Sequence, residues 1–196
     1  MDTNIRQVFG NWDRGYVLDK HVLRSVFTGY SEFGHAQFDT TRSEVGEALF
    51  KLKYRREWAE TERLAREVVA SLVPRFGKID LIVPMPASNA RPWQPVSEVA
   101  KAVSAAIGVP VFEDIIIKVP EAGAEKQLKN MTTREEKVAA LRDRFVLRDA
   151  IKNEGRWNAL VLDDLFDTGA SMEAACATLR TYRKIADIYV AALTWK

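Results

Sequence analysis

Cysteine is almost missing from this 196-residue chain: Cys176 stands alone. A lone cysteine excludes an internal disulfide and any zinc site built on several thiolates. Histidine is nearly as scarce, with only His21 and His35, and neither has a second His or Cys at ligand spacing. No long apolar run exists. Residues 79–87 come closest, but Asp80 and two prolines interrupt them, and a membrane helix needs about 20 apolar residues. Charge of one sign is also lacking: 29 basic and 27 acidic side chains give a net +2. That balance removes the electrostatic case for a dedicated nucleic-acid binder. The first residues lack the charged-then-apolar layout of a signal peptide, so a cytoplasmic protein is expected. There is no Walker loop, no His-Glu-x-x-His and no Gly-x-Ser-x-Gly. The chemistry must therefore rest on carboxylates, hydroxyls, basic side chains and the backbone.

What is present suits an ordinary globular domain: 47% hydrophobic and 29% charged residues. Residues 1–41 read as an irregular hood or appendage of short strands and turns. In them Gly10, Gly15, Gly29 and Gly34 punctuate Trp12, Tyr16, Phe27, Tyr30, Phe33 and Phe38. The main domain is expected over 42–196. Asp39-Thr-Thr41 is a predicted cap for a helix opening near Arg42, with Val45, Ala48, Leu49 and Leu52 on one face. A second helix is predicted over 56–73. Strands and helices then alternate: a strand over 79–84, a helix over 95–107 closed by Gly108, and strand material within 109–118. A polar loop follows over 121–131, then a helix opened by the capping box Thr132-Thr-Arg-Glu135. A short strand over 145–147, a strand over 157–162, a helix over 169–182 and a strand over 188–193 complete the series. This alternation predicts an α/β fold, a mostly parallel sheet flanked by helices.

One segment concentrates chemistry: Val161-Leu-Asp-Asp-Leu-Phe-Asp-Thr-Gly-Ala-Ser171. An apolar strand runs into two adjacent acids, then a glycine-containing loop, then a helix. Ligands of open parallel sheets bind at such carboxyl ends. Backbone N–H groups over 167–171 at a helix start favour an anion. Gly169 permits close approach, and Thr168 and Ser171 add hydroxyls. Asp163 and Asp164, acceptor-only when ionised, suit a sugar diol or magnesium. The bland alternative is a solvated acidic turn followed by ordinary helix capping. The register of strand, acid pair, loop and helix favours the ligand site.

This segment resembles the diphosphosugar-binding motif of type I phosphoribosyltransferases. It has the apolar strand, two acids, two variable residues, then Asp167, Thr168, Gly169, Ala170 and Ser171. The resemblance implies a type I phosphoribosyltransferase-like fold and a phosphoribosyl pyrophosphate ligand held with Mg2+. Asp163 and Asp164 would take the ribose hydroxyls or the metal, and residues 167–171 the 5′-phosphate. Asp167 is similar to the purine-salvage variant of the motif, where the matching residue is a proposed proton-transfer group.

Two further segments are similar to the ComF-like branch of that family. In Val83-Pro-Met-Pro-Ala-Ser88-Asn89-Ala-Arg91, a strand and Pro-x-Pro precede a loop arginine and a helix. Ser88, Asn89 and Arg91 would hold pyrophosphate. Lys118 then follows a strand, with Lys126, Gln127, Lys129, Arg134 and Phe145 beyond it, and is the preferred anion contact of that stretch. The paired-cysteine module common at the start of ComF-like proteins is absent, and Arg91-Pro-Trp-Gln94 departs from their usual loop.

The expectation is thus an enzyme of nucleotide metabolism, a phosphoribosyltransferase moving phosphoribose to a nitrogen acceptor with release of pyrophosphate. The acceptor is not readable from the sequence, although Trp12, Phe33 and Trp195 are aromatics that can stack on a base. The resembled fold is usually dimeric. The rival reading is a non-catalytic ComF-like module that binds a nucleotide or diphosphosugar in regulation, DNA uptake or DNA processing, the one reading in which nucleic acid is a partner. His21 and His35 are expected to be hydrogen-bonded structural residues, and Cys176 a small core residue. Lys51, Lys53, Arg55 and Arg56 read as a solvated basic face or an edge of the phosphate site.

Overall fold

The structure is a computed structural model that describes residues 1–87, 93–119 and 144–196. Its centre is a five-stranded sheet. In chain order the strands are β1 (Arg6–Gln7), β2 (Arg14–Lys20), β5 (Leu81–Pro84), β8 (Trp157–Phe166) and β9 (Ile185–Trp195). Their spatial order is β1-β2-β9-β8-β5, and only β1 runs antiparallel to its neighbour. The chain at 110–112 lies beside β5: Ile82 N–H donates to the Pro110 carbonyl and Phe112 N–H to that of Ile82, both at 2.9 Å.

Alternation along the strands explains the two layers. Leu18, Ile82, Leu160, Leu162, Ala191 and Leu193 turn to one face. There they meet α1 (Glu44–Phe50), α2 (Ala59–Glu67) and α3 (Pro95–Ile107). Val17, Val83, Ala159, Val161, Val190 and Ala192 turn to the other. That face is covered by α4 (Ala170–Arg180) and by the two-stranded ribbon of β6 (Ile116–Lys118) and β7 (Phe145–Leu147). A strand buried on both faces reads as a continuous apolar run, which is how Ala159–Leu162 reads. Burial of each leucine in it stabilises the fold by about 1.5–3 kcal/mol. Helices thus flank a mostly parallel sheet, the expected α/β arrangement.

Several elements depart from the sequence pattern. Residues 1–41 are not uniformly irregular, because β2 is a full member of the sheet, with Val17 and Leu18 fully buried. The rest of that region forms a projecting hairpin, β3 (Val22–Tyr30) and β4 (Ala36–Arg42). β4 extends through Asp39-Thr-Thr41, so the helix cap falls on Ser43, whose Oγ accepts the Gly46 N–H at 3.0 Å. α1 continues into a π-helical turn, Lys51–Arg55, ended by Arg56 in the left-handed region (φ 57°). The second helix starts at Ala59 rather than 56 and also ends in a π turn, Val68–Leu72. β8 runs four residues past its expected end because β9 runs alongside and pairs with it to Phe166↔Trp195. The predicted loop over 121–131 and the helix after it lie outside the described residues. No helix among the described residues is long and apolar enough to cross a membrane.

Candidate functional site

The parallel strands β5, β8 and β9 end on the same side of the sheet, and that side carries the site. β8 leaves the core after Leu162 and presents Asp163 and Asp164 partly exposed. Both help line a cleft of about 310 Å³ with Lys53, Met85, Pro86, Gln94, Lys118 and Ser171. Residues from four separate parts of the chain therefore meet there.

The acid pair is not symmetrical. Asp163 Oδ1 accepts the Asp164 backbone N–H at 2.8 Å. Burial, with the neighbouring charge of Asp164 second, pushes the Asp163 carboxyl up to about 7, against the opposing pull of Lys53 and Lys118. A carboxyl in that range can accept or give a proton near neutrality. Asp164 instead accepts a charge-assisted hydrogen bond from Lys53 Nζ at 2.7 Å, and Thr194 Oγ1 donates to its carbonyl at 2.9 Å.

The loop after the acids turns at Gly169 (φ 80°, ψ −6°), the N-cap of α4, which has no side chain of its own to cap the helix. A side chain at 169 is doubly disfavoured: the backbone is left-handed, and a Cβ would sit 2.8 Å from Phe166 Cζ. Thr168 Oγ1 accepts the Ala170 N–H at 3.4 Å. Beyond that contact, a helix start offers backbone donors to an anion. Asp167 and Thr168 are exposed on the loop and do not line the cleft. Lys196 Nζ lies 3.9 Å from Asp167 Oδ2.

Among the site residues expected from the sequence, the structure brings Asp163, Asp164, Ser171 and Lys118 to one cleft. Gly169 and Ala170 are buried beneath the loop. Ser88, Asn89 and Arg91 lie outside the described residues. Lys53 is the addition. It belongs to the basic cluster read first as a solvated face and otherwise as an edge of the phosphate site, and 111 residues separate it from its carboxylate. A π-helical turn is a frequent device for aiming one residue at a site, but no local pattern announces it. His21 does not line the cleft, and it departs from the hydrogen-bonded histidine expected. Its Nδ1 is buried and has no hydrogen-bond partner among the described residues. Burial first, then the charges of Arg42 and Lys53, hold its pKa below the usual histidine value, while Asp164 opposes them. Trp12 is not available to a ligand: it is buried, with Nε1–H donating to the Val8 carbonyl at 3.0 Å. Phe33 is 82% exposed, and Trp195 carries the Arg6 guanidinium 4.9 Å from its ring centre.

The acid pair supplies hard oxygen donors of the kind Mg2+ prefers. Among the described residues no third Asp, Glu, His or Cys joins them. Mg2+ commonly accepts that arrangement, one or two carboxylates with the remainder from phosphates and water, so the pair fits such an ion.

No protein-family model and no curated protein matches the chain. Solved structures similar to it include Leishmania donovani UMP synthase, at 19% identity and a TM-score of 0.43, covering 88% of this chain and 29% of that one. An adenine phosphoribosyltransferase from Thermoanaerobacter pseudethanolicus gives 13% identity and a TM-score of 0.46, covering 88% and 83%. A Staphylococcus aureus hypoxanthine phosphoribosyltransferase gives 12% identity and a TM-score of 0.40, covering 71% and 65%. The chain thus spans less than a third of the UMP synthase. At these values the functional weight falls on the cleft itself.

Proposed function

We propose that the protein is a phosphoribosyltransferase that takes phosphoribosyl pyrophosphate as donor and moves phosphoribose to a nitrogen acceptor. The observation that carries this reading is the unit Asp163–Ser171. An acid pair lies at the end of a central parallel strand, and a left-handed glycine opens a helix beside it. Residues 167–171 would bind the 5′-phosphate, and Asp163 and Asp164 the ribose hydroxyls. The two acids would also hold Mg2+, which would neutralise the diphosphate. Lys118, with Ser88, Asn89 and Arg91, would stabilise the departing pyrophosphate. Asp167, exposed on the loop, would exchange a proton with the acceptor. Positioning and charge stabilisation would supply most of the rate. The test is pyrophosphate release with a panel of nucleobases. Tight donor binding with no release for any base would sink the enzyme reading.

One observation favours a binding module instead. Lys53 already neutralises Asp164, so a ribose phosphate can be held without turnover. The module would be a ComF-like sensor in regulation or DNA processing. Asp164→Asn separates the two: an enzyme loses turnover by orders of magnitude, whereas a sensor changes only its affinity.

A further inference from the structure

The hairpin of β3 and β4 stands apart from both layers of the core, which draw no residue from it. Its strands are nine and seven residues long, and no residue of either is buried. Its root is nevertheless firm. His21 N–H donates to the Trp195 carbonyl at 2.7 Å, and Ser43 Oγ donates to the Lys20 carbonyl at 2.5 Å. The Arg42 guanidinium lies 3.9 Å from the Phe50 ring centre. A two-stranded ribbon on its own is marginal in water, so a projecting one calls for a cover.

The two faces of the ribbon differ. Phe27 pairs with Phe38, and Tyr30 with Ala36. The Phe27 ring centre lies 5.7 Å from that of Phe38 and 5.1 Å from that of Tyr30, so the three rings form one cluster. Ser25 and Thr40, two residues back, share a hydrogen bond of 3.1 Å on the same face. Arg24, Val26, Asp39 and Thr41 alternate to the other face. An antiparallel ribbon patterned this way packs its apolar face and wets its polar one. Here the apolar face is open: Phe27, Phe38 and Tyr30 are 49%, 57% and 72% exposed, and Phe33 at the turn is 82% exposed.

Area and charge select the cover. An aromatic side chain carries about 150–250 Å² of surface, so at these exposures the four rings offer about 400–650 Å² per copy. Two copies face to face would remove about 800–1,300 Å², around the roughly 1,000 Å² that a specific interface needs. Arg24 and Arg42 balance Glu32 and Asp39 across the hairpin. Nothing on it therefore favours a polyanion or a strongly charged peptide, and a second hairpin meets it without net repulsion. Rings also prefer edge-to-face contact with other rings, the geometry already present within the cluster.

We infer that this aromatic face is an interface between two copies of the chain, related by a twofold axis beside Phe27 and Phe38. Such an axis presents the same patch on both subunits. Phe27, Tyr30 and Phe38 form the centre, where truncation costs most, and Phe33 the rim, where it costs little. The assignment rests on the hairpin alone and holds whatever the cleft binds.

The test follows the mass of the full chain by sedimentation over a wide concentration range. Wild type should pass from monomer to dimer. Phe27→Ser with Phe38→Ser should weaken association at least tenfold, with Tm unchanged at a concentration where wild type is monomeric. Val26→Ser, on the opposite face, and Phe33→Ser, at the rim, should leave association within severalfold of wild type. A cross-linking arm covers the case of a serine variant whose hairpin comes apart. Cys176 is buried, so Phe27→Cys introduces the one accessible thiol. Under mild oxidation it should join two copies several times faster than Val26→Cys does. A chain that stays monomeric at every concentration, or a dimer that keeps its affinity without Phe27 and Phe38, would overturn the interface. So would a monomeric chain that uses the same rings to capture single-stranded DNA or a neutral lipid vesicle.

Discussion

The two walls of the cleft are built on different principles. On one, Asp163 and Asp164 extend directly from Ala159–Leu162, four consecutive residues with no exposed surface, and the anion loop follows without a break. On the other, Lys53 stands on a π turn, and Lys118 ends a three-residue strand. The first wall is positioned by backbone that the whole core holds in place. The second reaches its target through long, flexible side chains. Substitutions under the first wall should therefore disturb stability and site together. Those on the second should tune the ligand while sparing the fold.

The largest effect should come from Leu162→Ala, which removes a fully buried side chain beneath the acids and should cost about 2–5 kcal/mol in urea unfolding. A loss below 1 kcal/mol would break the contrast between the walls. Gly169→Ala should cost about 1–3 kcal/mol, since it forces a side chain into left-handed backbone against Phe166, and should weaken ribose 5-phosphate binding in the same preparation. Lys53→Met removes a pair whose side chains are 24% and 20% exposed. Its stability change should stay near 1 kcal/mol, while ligand affinity shifts more than for any neutral surface change.

A pH series sharpens the same contrast. Asp163 titrates near 4 when unfolded and at about 7 when folded. Between these values the folded chain binds more protons than the unfolded one, so this group makes stability fall as pH rises from about 4 to about 7. Asp163→Asn should remove that slope, and difference unfolding curves against wild type will show it. The smallest effect belongs to the hairpin. Phe33→Ser, at 82% exposure, should move stability by no more than about 0.5 kcal/mol.

Much of this was legible along the chain, for identifiable reasons. Helix Pro95–Ile107 and strand Phe145–Leu147 fall where periodicity and the C-terminal Gly108 place them, because local signals and tertiary packing agree there. The segment Asp163–Ser171 was legible because all its parts are consecutive. The place of β2 in the main sheet was not: its apolar centre is only Tyr16-Val-Leu18, between Gly15 and Asp19, and its membership comes from lying against β9. The cap at Asp39-Thr-Thr41 misled because pairing with β3 holds those residues extended. Lys53 owes its significance to Asp164, a neighbour from a distant segment, which no spacing rule reveals.

The placement of β9 has a consequence for how the molecule is made. Its partners are β2, about 170 residues earlier, and β8, which it joins from Trp157↔Ile185 to Phe166↔Trp195. Before β9 is in place the sheet has no middle, and β2 and β8 each present an unpaired edge. Closure of so distant a contact is slow, and open edges invite pairing with other chains. Refolding should therefore be slow and prone to association between chains, with the acid pair assembled only as β9 slots between its neighbours.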